Sequence, residues 1–73
     1  DKTMIVLTFP DQKGTLLKAT KILAKAGVNM NSIDSQIKTP GRVDFVVVCD
    51  NHIDWEGLRL DLQKQGGELE IIG

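Results

Sequence analysis

Residues 43–49 read Val-Asp-Phe-Val-Val-Val-Cys, and the reading of this stretch decides the fold. It is the clearest strand in the chain, rich in β-branched residues and preceded by the turn signal Pro40-Gly41. Its apolar residues fall on both parities: Val43, Phe45, Val47 and Cys49 on one, Val46 and Val48 on the other. A strand written this way is apolar on both faces. The block that opens the chain behaves likewise, with Met4 and Val6 against Ile5, Leu7 and Phe9, stopped at Pro10.

Upstream of residue 43, Ile33, Ser35 and Ile37 alternate, while Val28 and Met30 lie on the opposite parity. A one-residue slip would send side chains to the wrong face, so a bulge or break is expected near Asn31-Ser32. Before that segment the period is helical from Thr15. Leu16, Ala19, Leu23 and Ala26, with Ile22 beside them, form the stripe predicted to be buried, and Lys18, Lys21 and Lys25 lie opposite. Gly27 is placed to close the helix in the left-handed conformation. Downstream, Asp50 or Asn51 ends the strand and is expected to cap a second helix. Asn51 with Asp54 resembles a capping box. Trp55, Leu58 and Leu62 give that helix its apolar stripe, Leu60 lies off it, Gly66-Gly67 ends it, and residues 69–72 form a short last strand.

The order strand, helix, strand, strand, helix, strand predicts an α+β fold, the ferredoxin-like βαββαβ sandwich: a four-stranded antiparallel sheet with two helices on one face. Two helices cover only one face of that sheet. The second face is expected to be apolar, uncovered within the chain, and to meet a second copy or another domain.

Composition narrows the function classes. Seventy-three residues suffice for one domain, spanning 1–73, and a domain this short gains much from a partner. It opens at Asp1 and is expected to be a fragment of a longer protein. A net charge of −1 argues against a nucleic-acid surface, which needs clustered cations. The few aromatics, Phe9, Phe45 and Trp55, do not make a base-stacking platform. No apolar run is long enough to cross a membrane and no signal peptide is visible. The single cysteine, Cys49, excludes an internal disulfide and reads as a small core residue; a cytoplasmic setting fits. No Cys-x-x-Cys points to a metal. His52 stands alone beside a helix start and reads as a solvent-exposed loop residue. Asp11, Asp34 and Asp44 are scattered, and no nucleophile–base pair can be nominated, so the chain itself is expected to be no enzyme and to use no cofactor. An acyl phosphatase of the same architecture would need an Arg–Asn anion cradle, and the arginines here are Arg42, in a turn, and Arg59, on a helix.

What remains is Asp11-Gln12-Lys13-Gly14-Thr15-Leu16, where a strand end, a loop and a helix start meet. A helix N-terminus offers free N–H groups and partial positive charge to a carboxylate, and a glycine lets a ligand approach the backbone. Equally, Gly14 reads as a simple turn residue.

Gly14-Thr15-Leu16, the helix after it, Gly27-Val28-Asn29-Met30 and Ile33-Asp34-Ser35 together resemble ACT domains, nearest to the regulatory domains of prephenate dehydratase and of the aromatic amino acid hydroxylases. Those carry Gly-Ala-Leu at the loop and Ile-Glu-Ser-Arg-Pro on the second strand, and the spacing agrees without a gap. The resemblance covers nearly the whole chain. It implies a βαββαβ fold, a homodimer, and an amino acid bound between two copies, phenylalanine in the members that sense aromatic amino acids. It further implies a catalytic domain in the same chain, from an enzyme of amino-acid metabolism, under allosteric regulation. By position, the ligand loop would be Gly14, Thr15 and Leu16, and the facing strand would supply Met30, Asn31, Ser32, Ile33 and Asp34. Main-chain donors near Gly14 would hold the carboxylate, Asp34 or nearby carbonyls the ammonium, and Leu16, Met30 and Ile33 the side chain. Thr15 and Asp34 stand where the family has Ala and Glu, and Gln36-Ile37 replace Arg-Pro, removing a fixed charge with five donors. Those departures motivate the alternative, an assembly domain that pairs subunits and binds no ligand.

Overall fold

A computed structural model describes residues 1–51 and 54–73. In chain order it has β1 (Lys2–Pro10), α1 (Thr15–Lys25), β2 (Met30–Gln36), β3 (Arg42–Asp50), α2 (Trp55–Lys64) and β4 (Glu68–Ile71). The strands form one antiparallel sheet in the order β2-β3-β1-β4. The two most apolar strands are thus central, and the fold is the expected ferredoxin-like βαββαβ arrangement.

β1 and β3 pair along their whole length, from Lys2 opposite Asp50 to Pro10 opposite Arg42. Alternation then sorts their side chains. Ile5, Leu7 and Phe9 of β1 and Val43, Phe45, Val47 and Cys49 of β3 are buried against the helices. Ala19 and Leu23 of α1, Leu58 and Leu62 of α2, and Leu69 of β4 complete that layer. Each fully buried aliphatic chain contributes about 1.5–3 kcal/mol relative to exposure. Phe9 and Phe45 meet with ring centroids 6.2 Å apart at 60°, a tilted contact that fixes the end of the sheet nearest α1's start. On the opposite parity Val6, Val46 and Val48 are only half-buried and Met4 is exposed, so both helices lie on one face and the other is open, as expected from the dual-parity strands.

Four local expectations need correction. Leu16 is half exposed, and Thr15 takes the buried position instead. The stripe runs through residues 15, 19, 22, 23 and 26; Leu16 lies about 100° around the helix from Thr15, turned toward the edge strand. Val28 does not open β2. It is buried, and its N–H bonds to the Leu23 carbonyl at 3.0 Å, locking α1's end after Gly27 at φ 78°. Ile37 falls beyond β2 and is exposed. The cap of α2 is Asp54, whose Oδ1 accepts from the Gly57 N–H at 2.9 Å. Asp50 belongs to β3, and Asn51 instead accepts from the Thr3 hydroxyl at 3.4 Å. His52, expected as a solvent-exposed loop residue, lies outside the described residues. The break near Asn31-Ser32 is present as a register shift between Met30 and Ser32. Among the described residues no helix is long and apolar enough to cross a membrane.

Candidate functional site

The loop between β1 and α1 is shaped by one residue that must be glycine. Gly14 sits at φ 81°, ψ 9°, the left-handed region, immediately before the first helical turn. An L side chain there would be strained by about 1–2 kcal/mol. Thr15 faces inward and its hydroxyl donates to the Gln12 carbonyl, while the Gln12 N–H reaches the same hydroxyl at 3.3 Å. Lys18 N–H closes the first helical bond on the Gly14 carbonyl at 3.0 Å.

This accounting leaves two donors. α1 has no side-chain cap, and the Leu16 and Leu17 N–H groups have no partner among the described residues. They are first-turn groups of the kind that water, a cap or an anion must satisfy. The first turn carries no acidic residue, so nothing on the helix competes for its partial positive charge.

The sheet brings a wall to this loop. Asp11 N–H bonds to the Gly41 carbonyl at 2.9 Å, tying the loop to the turn between β2 and β3. A shallow open hollow of about 430 Å³ results, lined by Gln12, Gly14 and Leu16 on one side and Ser35, Ile37 and Phe45 on the other. The exposed Leu16 is thus an apolar wall and not a core residue.

The candidate residues divide into two groups within one protomer. Gly14, Thr15 and Leu16 line the hollow. Met30 to Asp34 run away from it along β2. Met30 pairs across from Cys49 at the far end and packs against the core; Asn31 is the exposed residue at the bulge. Ser32 and Asp34 pair with Val48 and Val46, which puts them on the open face, and both are exposed. Ile33 pairs with Val47 and is half-buried against the core. Sequence reasoning missed Ser35, Ile37 and Phe45 as neighbours of Gly14. The register could have found them, because Pro10 opposite Arg42 and Ser35 opposite Phe45 put the end of β2 beside the loop.

β2 is also an edge. Among the described residues its one sheet partner is β3, so alternate backbone N–H and C=O groups point outward along residues 30–36. Chemically, the region offers main-chain donors, apolar walls and a free strand edge. Among the described residues no three His, Cys, Asp or Glu converge on a metal site. The two arginines are engaged elsewhere, Arg42 with Glu68 at 2.8 Å and Arg59 with Glu56 at 3.7 Å.

Comparison with known proteins bears on this geometry. The family model described as ACT domain matches residues 3–58. No curated protein matches the sequence. Among solved structures, a prephenate dehydratase from Staphylococcus aureus superposes with a TM-score of 0.82 at 26% identity, covering 99% of this chain and 29% of its own. A formyltetrahydrofolate deformylase from Pseudomonas putida gives 0.77 at 20% identity, covering 100% of this chain and 29% of its own. The ligand-free regulatory subunit of an aspartate kinase from Thermus thermophilus gives 0.68 at 23% identity, with 99% and 50% covered. The chain thus spans less than a third of the first two proteins and half of the third.

Proposed function

Because this chain belongs to the ACT domain family, we propose that it is a regulatory module that binds a free amino acid between two copies and controls an attached enzyme of amino-acid metabolism. The observation that carries this reading is the open cap of α1, with Gly14 in the left-handed region and the Leu16 and Leu17 amides without a partner among the described residues, beside an apolar hollow.

The free edge of β2 supplies the second half of the pocket. Two β2 strands related by a two-fold axis and paired antiparallel about Ile33 would set residue 30 of one opposite residue 36 of the other. Met30 and Asn31 of the partner subunit would then approach the Gly14 loop of the first copy, which ends beside Ser35 and Ile37. The zwitterion's carboxylate takes the Leu16 and Leu17 amides. Its side chain lies against Leu16 and Ile37 with Met30 of the partner subunit. The ammonium takes carbonyls of the paired strands, because Asp34 pairs with Val46 on the open face of the sheet, away from the hollow. A ligand held by both copies binds the dimer and not the monomer, so it shifts that equilibrium, as regulation requires. Phenylalanine is the first ligand to test, because the resembling part of the prephenate dehydratase, 29% of that protein, is 26% identical to this chain. The buried free thiol of Cys49 fits a cytoplasmic setting.

The test is calorimetric titration of the domain with phenylalanine and other amino acids, with sedimentation in parallel. Heat on mixing and a shift of mass toward the dimer are expected. No heat and unchanged mass at about millimolar ligand would remove the sensing claim. The second reading, an assembly domain that binds nothing, is favoured by the exposed Gln36 and Ile37 in place of a fixed cation. It predicts dimers that ignore every amino acid tested.

A further inference from the structure

α1 carries lysines at positions 18, 21 and 25 and no acidic residue along its whole length. Their spacing of three and four places them on one face. That face borders the cleft between the helices, where Lys64 of α2 adds a fourth cation. None of the four lysines makes an ion pair among the described residues, whereas Lys2, Arg42 and Arg59 each do. Uncompensated like charges along one helix repel and lower stability slightly.

The cleft is long and open. A hollow of about 290 Å³ lies between Lys21, Ile22 and Lys25 of α1 and Asp61 and Lys64 of α2 with its C-cap Gln65. A second, of about 370 Å³, continues it past Leu17 and Lys18 to Gly14, and the two share Lys21, Ile22 and Gln65. Together they follow α1 from Gly14 to Lys25, roughly 16 Å at helical rise. The cleft offers two apolar residues: Ile22, half-buried against the core, and Leu17, 59% exposed. A compact ligand would leave most of such a trough empty, whereas a chain segment would fill it.

We infer that the α1–α2 groove docks an acidic amphipathic peptide segment, its carboxylates on Lys18, Lys21, Lys25 and Lys64 and its apolar face on Leu17 and Ile22. Charge complementarity commits the occupant: four cations face a single carboxylate, Asp61, in the groove. The groove reaches Gly14 and so borders the proposed amino-acid site, but peptide docking needs no amino acid and is measured in its absence, so its failure is distinguishable from failure of the sensing reading.

The experiment uses fluorescence anisotropy with the amino-acid-free domain and a fluorescein-labelled helical peptide of about 12 residues, glutamates and leucines sharing one face. Controls are a scrambled peptide of equal composition and an oligouridylate of similar length. The patterned peptide should bind at least about tenfold more tightly than either control, weakening as salt rises. Lys21→Glu/Lys25→Glu should lower affinity at least about tenfold, Leu17→Ser about fivefold, and Lys13→Glu/Lys38→Glu less than about twofold. Circular dichroism of each variant secures the fold, and amide-shift mapping should place the peptide on residues 17–25 and 61–65. Equal binding of the scrambled peptide, preference for the RNA, equal losses in both lysine pairs, or no binding at about 1 mM peptide would each overturn the proposal.

Discussion

Gly67 stands where α2 turns into β4, and a methyl group there has nowhere to go. A Cβ built on Gly67 would lie 2.6 Å from Cε1 of Phe9, 2.9 Å from Cζ and 3.0 Å from Cδ1. Carbon atoms pack at about 3.5–4.0 Å, so the overlap is roughly 1 Å. Phe9 is 1% exposed, and its ring is held against Phe45, so it cannot swing aside freely. Gly67→Ala is therefore overpacking, with an expected cost of about 1–3 kcal/mol. In a domain of this size that corresponds to a fall of roughly 5–20 °C in melting temperature. Phe9→Leu shortens the obstructing ring and costs about 1–1.5 kcal/mol alone. Combined, the two should cost less than their sum by at least about 0.5 kcal/mol, because one change makes room for the other. Urea unfolding at fixed protein concentration, followed by circular dichroism, measures all four species. A Gly67→Ala cost below about 0.5 kcal/mol, or strict additivity with Phe9→Leu, refutes the reasoning. Phe45 both packs on Phe9 and lines the hollow beside Gly14, so the same variant should weaken any ligand held there.

Gly14→Ala meets no atom within 4 Å, so its stability cost is conformational, about 1–2 kcal/mol, while phenylalanine affinity should fall about tenfold or more; calorimetry showing unchanged affinity would detach the loop from the ligand. Thr15→Val leaves the Gln12 carbonyl without its hydroxyl donor and should cost about 1–2 kcal/mol in urea unfolding; a neutral result would show that water replaces it freely. Hydrogen bonds from Lys2 Nζ and Asn29 Nδ2, both at 2.6 Å, hold the Asp50 carboxyl below the usual carboxylate range. A carboxyl depressed by folding stabilises above its unfolded value near 4 and loses that contribution as pH falls through its folded value. Melting of Asp50→Asn should thus fall less than that of the parent between about pH 5 and pH 2, and parallel curves would contradict the assignment. Burial, then the negative charge of Asp50, raises the Cys49 thiol. Iodoacetamide should modify the native protein at least about a hundredfold more slowly than the urea-unfolded chain, and comparable rates would place Cys49 at the surface.

The elements were legible because each carries its own period. Alternation in β1 and β3, the α1 stripe from Ala19 to Ala26, the parity break at Asn31 and the Pro40-Gly41 turn all follow from local chemistry, and each appears where it was expected. The failures lie at boundaries. Leu16 and Thr15 are adjacent, and a stripe starting at either fits Ala19 and Leu23; only docking onto the sheet chose Thr15. Asn51 and Asp54 are both good caps, and continuation of β3 through Asp50 moved the helix start downstream. The loop was singled out through Gly14, yet its neighbours Ser35, in β2, and Ile37, just past it, lie about twenty residues away, and no local pattern contains that distance.

The amino-acid order alone determined which segments are strands and helices, that the sheet has one apolar face too many for its two helices, and that a glycine opens the first helix. Those properties reside in periodicity and backbone permission, both written within a few residues of one another. Tertiary structure decided the rest: which side of α1 meets the sheet, that β2 is an edge, and that the Gly14 loop shares a hollow with the end of β2 and the start of β3. Each depends on strand register, which is settled by the packing of the whole core and by no single stretch of the chain.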